Sequence, residues 1–229
     1  MPAVPSPRGP SKLSDSFFDR ARAGLTLEPP AALTDASVTP AKGDHELNKE
    51  AAALWAVRPI RPAAVLVPVI DRAQPTILLT QRSAHLPDHA GQISFPGGKI
   101  DPGDESPLAA ALREAEEEVG LDRRFIEPLG YLDLYMTTQG YRIVPVVARI
   151  APDFQLSLNP SEVDDTFEVP LDFLMEPSNH QKHSRDWNGI TRYYFAIPFE
   201  QRHIWGVTAG ILRNLWERIY AGSANVAPE

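Results

Sequence analysis

Four carboxylates crowd one short stretch, REAEEEVGL at residues 113–121: Glu114, Glu116, Glu117 and Glu118, with Arg113 directly ahead. On a helix, Glu114, Glu117 and Glu118 stand at i, i+3 and i+4 and share a face, while Glu116 points away to solvent. An exposed like-charge pair costs only a few tenths of a kcal/mol, so a solvated acidic face is one reading. A second reading comes from the residues just upstream, FPGGKIDPGDESPLAAAL, whose glycine-rich loop lets a ligand approach closely. On a partly covered face, two charges about 5 Å apart at an effective dielectric of about 20 repel by roughly 3 kcal/mol. A divalent cation reverses that sign. Hard carboxylate oxygens suit Mg²⁺ or Mn²⁺, and a Mg²⁺ held by few carboxylates completes its shell with water and substrate phosphates. The residues therefore point to metal-assisted chemistry on phosphate.

Local signals predict the elements that hold these residues. Ser106 as cap and Pro107 in the first turn start a helix, and Gly120 stops it. Its expected buried stripe is Leu108, Leu112, Ala115 and Val119. Upstream, PAAVLVPVI and TILLTQR read as buried strands joined in a hairpin through DRAQP. Downstream, YRIVPVVARI and TRYYFAIPF read as strands. The stretch GVTAGILRNLWERIY reads as a helix, with Val207, Ile211, Leu215 and Ile219 on one side and Thr208 as its cap. One helix early and one late among strands implies an α/β chain, a mixed sheet between helices.

The chain has 229 residues, of which 43% are hydrophobic, enough for one packed domain with an extension. Residues 1–55 are rich in Pro, Ala, Ser and Thr and are expected to pack weakly or be partly disordered, apart from a short helix in SDSFFDRARAGL capped by Ser14. Residues 56–222 form the expected domain and 223–229 a tail. A net charge of −8 argues against nucleic acid as a partner. With no cysteine, disulfides and thiolate metal sites are excluded. The longest apolar run, AAVLVPVI, is too short to span a bilayer, and the first residues lack a signal-peptide core, so no membrane association is expected and the cytoplasm is the default compartment.

The stretch REAEEEVGL resembles the core of the Nudix box, R-E-U-x-E-E-x-G-U. Glu105 takes the place of the box's upstream acid, seven residues intervening before Arg113; the box glycine then falls on Lys99, and the glycine itself is one residue earlier, Gly98. That form is similar to the coenzyme A pyrophosphatase branch of the Nudix hydrolases, with GG-x-x-D-x-x-D matched by Gly97, Gly98, Asp101 and Asp104. LLTQRSAHLPDHAGQISFPGG, residues 78–98, also resembles that branch's signature, with Pro87 where the branch carries a basic residue. NPSEVDDTFEVPLDFL and IWGVTAGIL are similar to further parts of it, so the resemblance covers roughly residues 60–220.

The resemblance implies a Nudix α/β/α sandwich that hydrolyses a nucleoside-linked diphosphate with Mg²⁺ or Mn²⁺, coenzyme A or an acyl-coenzyme A being the expected small-molecule substrate. It implies Gly98, through its carbonyl, Glu114, Glu117 and Glu118 as metal ligands, with Arg113 pairing to a box glutamate and Glu162 as an extra acid from a loop. Arg82 and Lys99 are candidates for substrate phosphates, and His89 for a hydrogen bond to substrate or loop. Another nucleoside diphosphate such as ADP-ribose or NADH, or a ligand-binding Nudix module without turnover, are the competing readings. The chain is expected as a monomer or homodimer.

Overall fold

The computed structural model describes residues 12–49, 58–187 and 189–221. The expected tail at 223–229, and the boundary at residue 55, lie outside the described residues. The strands are β1 (Lys42–Gly43), β2 (Arg61–Ile70), β3 (Thr76–Arg82), β4 (Ile93–Ser94), β5 (Gly97–Lys99), β6 (Ile126–Tyr131), β7 (Tyr135–Met136), β8 (Tyr141–Ile150), β9 (Val163–Pro170), β10 (Gln181–Trp187), β11 (Ile190–Phe199) and β12 (Arg202–Trp205). The helices are α1 (Lys12–Gly24), α2 (Pro107–Val119), the single turn α3 (Leu171–Leu174) and α4 (Val207–Ile219).

β2 and β8 run parallel over ten residue pairs at the centre of a mixed sheet, Arg61 opposite Tyr141 through Ile70 opposite Ile150. β3 turns back on β2 as the predicted hairpin, through Val69–Ile77 and Ile70–Thr76. β9 lies along β3, β6 and β7 along β8, and β5 pairs with the start of β2. Both faces of β2 are covered, which explains its near-continuous apolar run. Ala64, Leu66 and Ile70 enter a core with Ala110, Ala111, Ala115 and Val119 of α2. Val65, Val67 and Val69 enter the opposite core with Phe17 of α1 and Ile211 and Leu215 of α4. A second sheet, β10–β11–β12, adds Ile197 and Ile204 to that core. The result is the expected α/β/α sandwich. Among the described residues no helix is long and apolar enough to cross a membrane.

Three details depart from expectation. The described part of the N-terminal segment, residues 12–49, is tied to the domain at several points. Phe17, Phe18 and Ala21 are buried, and the Tyr131 N–H donates to the Thr26 carbonyl at 2.8 Å. Asp44 accepts from the Tyr135 hydroxyl and the Thr138 N–H, both at 2.9 Å, and Lys42 pairs with Glu217 at 2.7 Å. Within a Pro- and Ala-rich composition, Phe17, Phe18 and Leu33 reach the core, while Leu27 and Val38 stay exposed. Ser14 lies inside α1 rather than at its cap. Thr208 does not cap α4 either; Gly206 stands there, and the Thr208 hydroxyl donates to the Ile93 carbonyl at 2.9 Å, fastening α4 to β4.

Candidate active site

α2 is placed by its ends. Ser106 is extended, and its side chain accepts from the Ala109 N–H at 3.1 Å, one of the donors a helix start leaves unpaired. At the other end Gly120 is left-handed (φ 67°), and an added Cβ would meet the Ser157 backbone at 2.9 Å. Between them the stripe that packs on the sheet is Ala110, Ala111, Ala115 and Val119; Leu108 and Leu112, expected in the stripe, border it half-buried. Alanine lets the helix lie close over β2, and that brings Glu118 down with it: the residue is only 3% exposed.

The glutamates therefore differ in surroundings. Glu116 is exposed and pairs with Arg123 at 3.2 Å, as expected. Glu117 is also largely exposed. Glu118 accepts from the Gly97 N–H at 3.1 Å, and its nearest cation is Arg82, 3.7 Å away. Burial, helped by the neighbouring Glu114 charge, pushes its pKa up to about 7. Burial raises Glu114 as well. The Glu114 carboxylate lies directly over Gly98, where a Cβ would come within 2.5 Å of it. Gly97 is equally confined, with φ 151° and a Cβ position 2.5 Å from the Ala64 carbonyl.

Arg113 ties the loop to the helix. Its Nε and Nη2 donate to the two Asp104 oxygens at 3.1 and 3.0 Å, and Nη2 also donates to the Lys99 carbonyl at 3.2 Å. Its Nη1 donates to Glu114 at 2.9 Å and Glu117 at 3.0 Å. These carboxylates raise the guanidinium's pKa further, Asp104 foremost. Glu162 lies just before β9, takes a 3.3 Å hydrogen bond from Asn159, and is close enough that its charge contributes to raising both Glu114 and Glu118. Arg82 ends β3 at a register shift, and its Nε is buried without a hydrogen-bond partner.

Of the residues singled out by sequence, Gly98, Arg113, Glu114, Glu117, Glu118, Arg82 and Glu162 thus gather at one place. The Lys99 side chain is exposed, and only its carbonyl enters the network. His89 is exposed with φ 58° and bonds Gln92 of its own loop at 2.9 Å, away from the carboxylates. Asp104 is the member that sequence reasoning placed in a motif and gave no role.

Among the described residues no three acidic or imidazole side chains already converge as a metal cage. Arg113 stands between Glu114 and Glu117 and supplies the positive charge there. Glu118 has no cation nearer than Arg82 at 3.7 Å, burial raises both it and Glu114, and their hard oxygens lie beside a glycine backbone. That donor set fits a divalent cation such as Mg²⁺ or Mn²⁺.

The model of the NUDIX domain matches residues 60–188. A protein of Escherichia coli strain IAI39, described as the uncharacterized Nudix hydrolase NudL, is 44% identical over 155 residues, which is 68% of this chain and 81% of that protein. The NudL of other Escherichia coli strains is 43% identical over the same length. Among solved structures, DR0079 of Deinococcus radiodurans aligns with a TM-score of 0.46 at 16% identity, covering 70% of this chain and 83% of that one. The Ap4A hydrolase of C. elegans aligns with a TM-score of 0.42 at 24% identity, covering 48% and 80%. With the domain model matching more than half of this chain and a relative of this identity, the chain belongs to the Nudix family.

Proposed function

We propose that this Nudix hydrolase is a metal-dependent diphosphatase of coenzyme A or acyl-coenzyme A. Water adds across the diphosphate: a new O–P bond forms, the bridging P–O bond breaks, and the products are 3′,5′-ADP and 4′-phosphopantetheine or its acylated form. The observation that carries the reading is the buried Glu118 and the half-buried Glu114 against Gly97 and Gly98, inside the stretch that resembles the coenzyme A branch. Glu114, Glu117, Glu118 and the Gly98 carbonyl would hold the Mg²⁺ or Mn²⁺. When bound, that ion lowers the pKa of the attacking water and neutralises diphosphate charge.

The chain's own residues supply position. Arg113 keeps Glu114 and Glu117 in fixed rotamers. Glu162, whose charge bears on both Glu114 and Glu118, serves as base or added ligand. Arg82, whose Nη1 lies 3.7 Å from Glu118, is the cation assigned to a substrate phosphate, and Lys99 extends from the end of β5 into solvent. His89 orders its loop through Gln92. Catalysis of this kind rests on positioning and charge stabilisation.

Pro87, which replaces the branch's basic residue, supports a second reading, in which the diphosphate is another nucleotide such as ADP-ribose or NADH. Specificity constants for coenzyme A, an acyl-coenzyme A, ADP-ribose, NADH and a nucleoside triphosphate, each with Mg²⁺ and Mn²⁺, separate the two. A preference for coenzyme A supports the first reading; a preference for another diphosphate replaces it with the second. Tight binding without turnover of any of them would point to a ligand-binding module.

A further inference from the structure

Arg82 and Glu162 leave the sheet at one irregularity. β3 and β9 pair residue for residue from Thr76–Pro170 to Gln81–Asp165, and then Arg82 faces Val163, so that Asp164 is passed over in the ladder. This is a β-bulge, which bends a strand and re-aims its side chains. The packing shows its effect. Phe167 lies against the core formed with α1 and α4, whereas Val163, an even number of residues away, enters the core under α2. Beyond the bulge the Ser83 N–H donates to the Glu162 carbonyl at 2.8 Å, and the Ala84 N–H donates to the Asp164 carboxylate at 2.9 Å. The same distorted end of the ladder therefore carries both Arg82 and Glu162. We propose that Arg202, the first residue of β12, pins this bulge and is a positioning residue for Arg82 and Glu162.

Arg202 reaches the ladder from behind. Leu79 and Phe167 face the core with α1 and α4, and Gln81 and Asp165 continue that face by the alternation of the strands. Arg82 points to the other face, where its Nη1 lies 3.7 Å from Glu118. On the rear face Arg202 spans both strands: its Nη1 donates to the Gln81 side-chain oxygen, and its Nη2 donates to the Asp165 carboxylate at 2.5 Å. Gln81 and Asp165 are the last regular pair before the bulge. A guanidinium is a flat, rigid fork, so two donors given to two strands fix the spacing and offset of those strands together. The guanidinium carbon also lies 4.4 Å from the centre of the Phe167 ring, which supports the fork from below. Arg202 is itself placed by a tight turn: it pairs with Phe199 across Glu200 and Gln201, and Glu200 is left-handed (φ 52°). The small sheet thus braces the end of the large one at the point where the candidate phosphate cation and the candidate base emerge.

The kinetic consequence rests on the diphosphatase reading; the hold on the bulge does not. The test uses the full chain with Arg202→Met, Arg202→Lys, Arg82→Met and the Arg82→Met/Arg202→Met double variant. Methionine keeps an apolar stem over Phe167 and removes both donors. Lysine keeps the charge beside Asp165 without the fork, and is the milder variant if methionine unfolds the chain. Arg72→Met is the control, because Arg72 pairs with Glu168 of the same β9 at 2.7 Å, away from the bulge. Turnover of coenzyme A with Mg²⁺ is measured beside amide hydrogen exchange in the metal-free protein. Arg202→Met should lower kcat/KM by about 10–100-fold, with KM raised by about tenfold as Arg82 loses its aim. Arg202→Lys should fall between that variant and the parent, and Arg72→Met should match the parent. In the Arg82→Met background, Arg202→Met should raise KM no further. The Ser83 and Ala84 amides should exchange about tenfold faster or more in Arg202→Met, while the Leu171 amide, bonded to the Pro75 carbonyl at 2.9 Å beyond the other end of the ladder, keeps its rate. The proposal is overturned if Arg202→Met leaves KM at the parent value, if it raises KM equally in the Arg82→Met background, if Arg72→Met costs as much, or if the Ser83 and Ala84 amides ignore Arg202. A parent that turns over no diphosphate defeats the diphosphatase reading instead, and the exchange measurement then decides the proposal alone.

Discussion

Replacing Glu118 by glutamine should stabilise the metal-free protein at alkaline pH. Glu118 is 3% exposed, and burial raises its pKa to about 7 in the folded chain, against a usual 4.5. The folded state thus holds this proton more tightly than the unfolded state. Below pH 4.5 both states are protonated and the group is neutral in its effect. As pH rises from 4.5 towards 7 the unfolded chain gives up the proton first, and stability falls; above 7 the full penalty applies. At 1.36 kcal/mol for each tenfold difference in acidity, the gap amounts to about 3 kcal/mol. Glutamine removes the charge while its amide oxygen still accepts from the Gly97 N–H. The assay is urea unfolding of parent and variant at pH 5 and pH 8, in EDTA and in Mg²⁺. In EDTA the difference between variant and parent should move by about 2–3 kcal/mol in the variant's favour from pH 5 to pH 8, since part of the penalty already applies at pH 5. Mg²⁺ should restore the parent at pH 8 and do much less for the variant. A variant less stable than the parent at pH 8 in EDTA, or an identical pH dependence in both, would refute the reasoning, because it would mean that the protein already compensates this carboxylate.

Three further outcomes follow from the same geometry. Glu117→Gln touches a largely exposed side chain, so unfolding free energy should stay within about 0.5 kcal/mol while turnover falls by about 10²-fold or more, read by steady-state kinetics beside a denaturant melt. Gly98→Ala and Gly97→Ala should part ways. The first drives a methyl into the Glu114 carboxylate and should abolish metal-dependent activity; the second meets the Ala64 backbone at a positive φ and should cost about 1–3 kcal/mol of stability in the same melts. Phe17→Ala, in a fully buried position of α1, should cost about 3–5 kcal/mol, and a melt unchanged by it would show that the N-terminal helix is not part of the cooperative core.

The long strands were legible because both faces of β2 and β8 are buried, which leaves an apolar run with few interruptions. The ends of α2 were legible because Ser106, Pro107 and Gly120 each meet a local need that no tertiary contact has to supply. The buried side of α2 was misjudged by a rotation. Hydrophobicity favours Leu108 and Leu112, whereas close packing over β2 selects Ala110 and Ala111. The depth of Glu118 follows from that rotation and has no signature in a list of glutamates. In the N-terminal segment the helix was legible, but average composition did not show that Phe17 and Phe18 reach the core. Asp104 and Glu105 are indistinguishable by residue type, and only the fold of the loop shows which of them turns towards Arg113.

The most direct test of the account is the mass of the products formed from coenzyme A by the purified full chain, with Mg²⁺ or Mn²⁺ and again with EDTA. Equal amounts of 3′,5′-ADP and 4′-phosphopantetheine are expected with either metal, and intact coenzyme A in EDTA. Cleavage that persists in EDTA would contradict the role given to Glu114, Glu117 and Glu118, and intact coenzyme A in the presence of both metals would contradict the substrate.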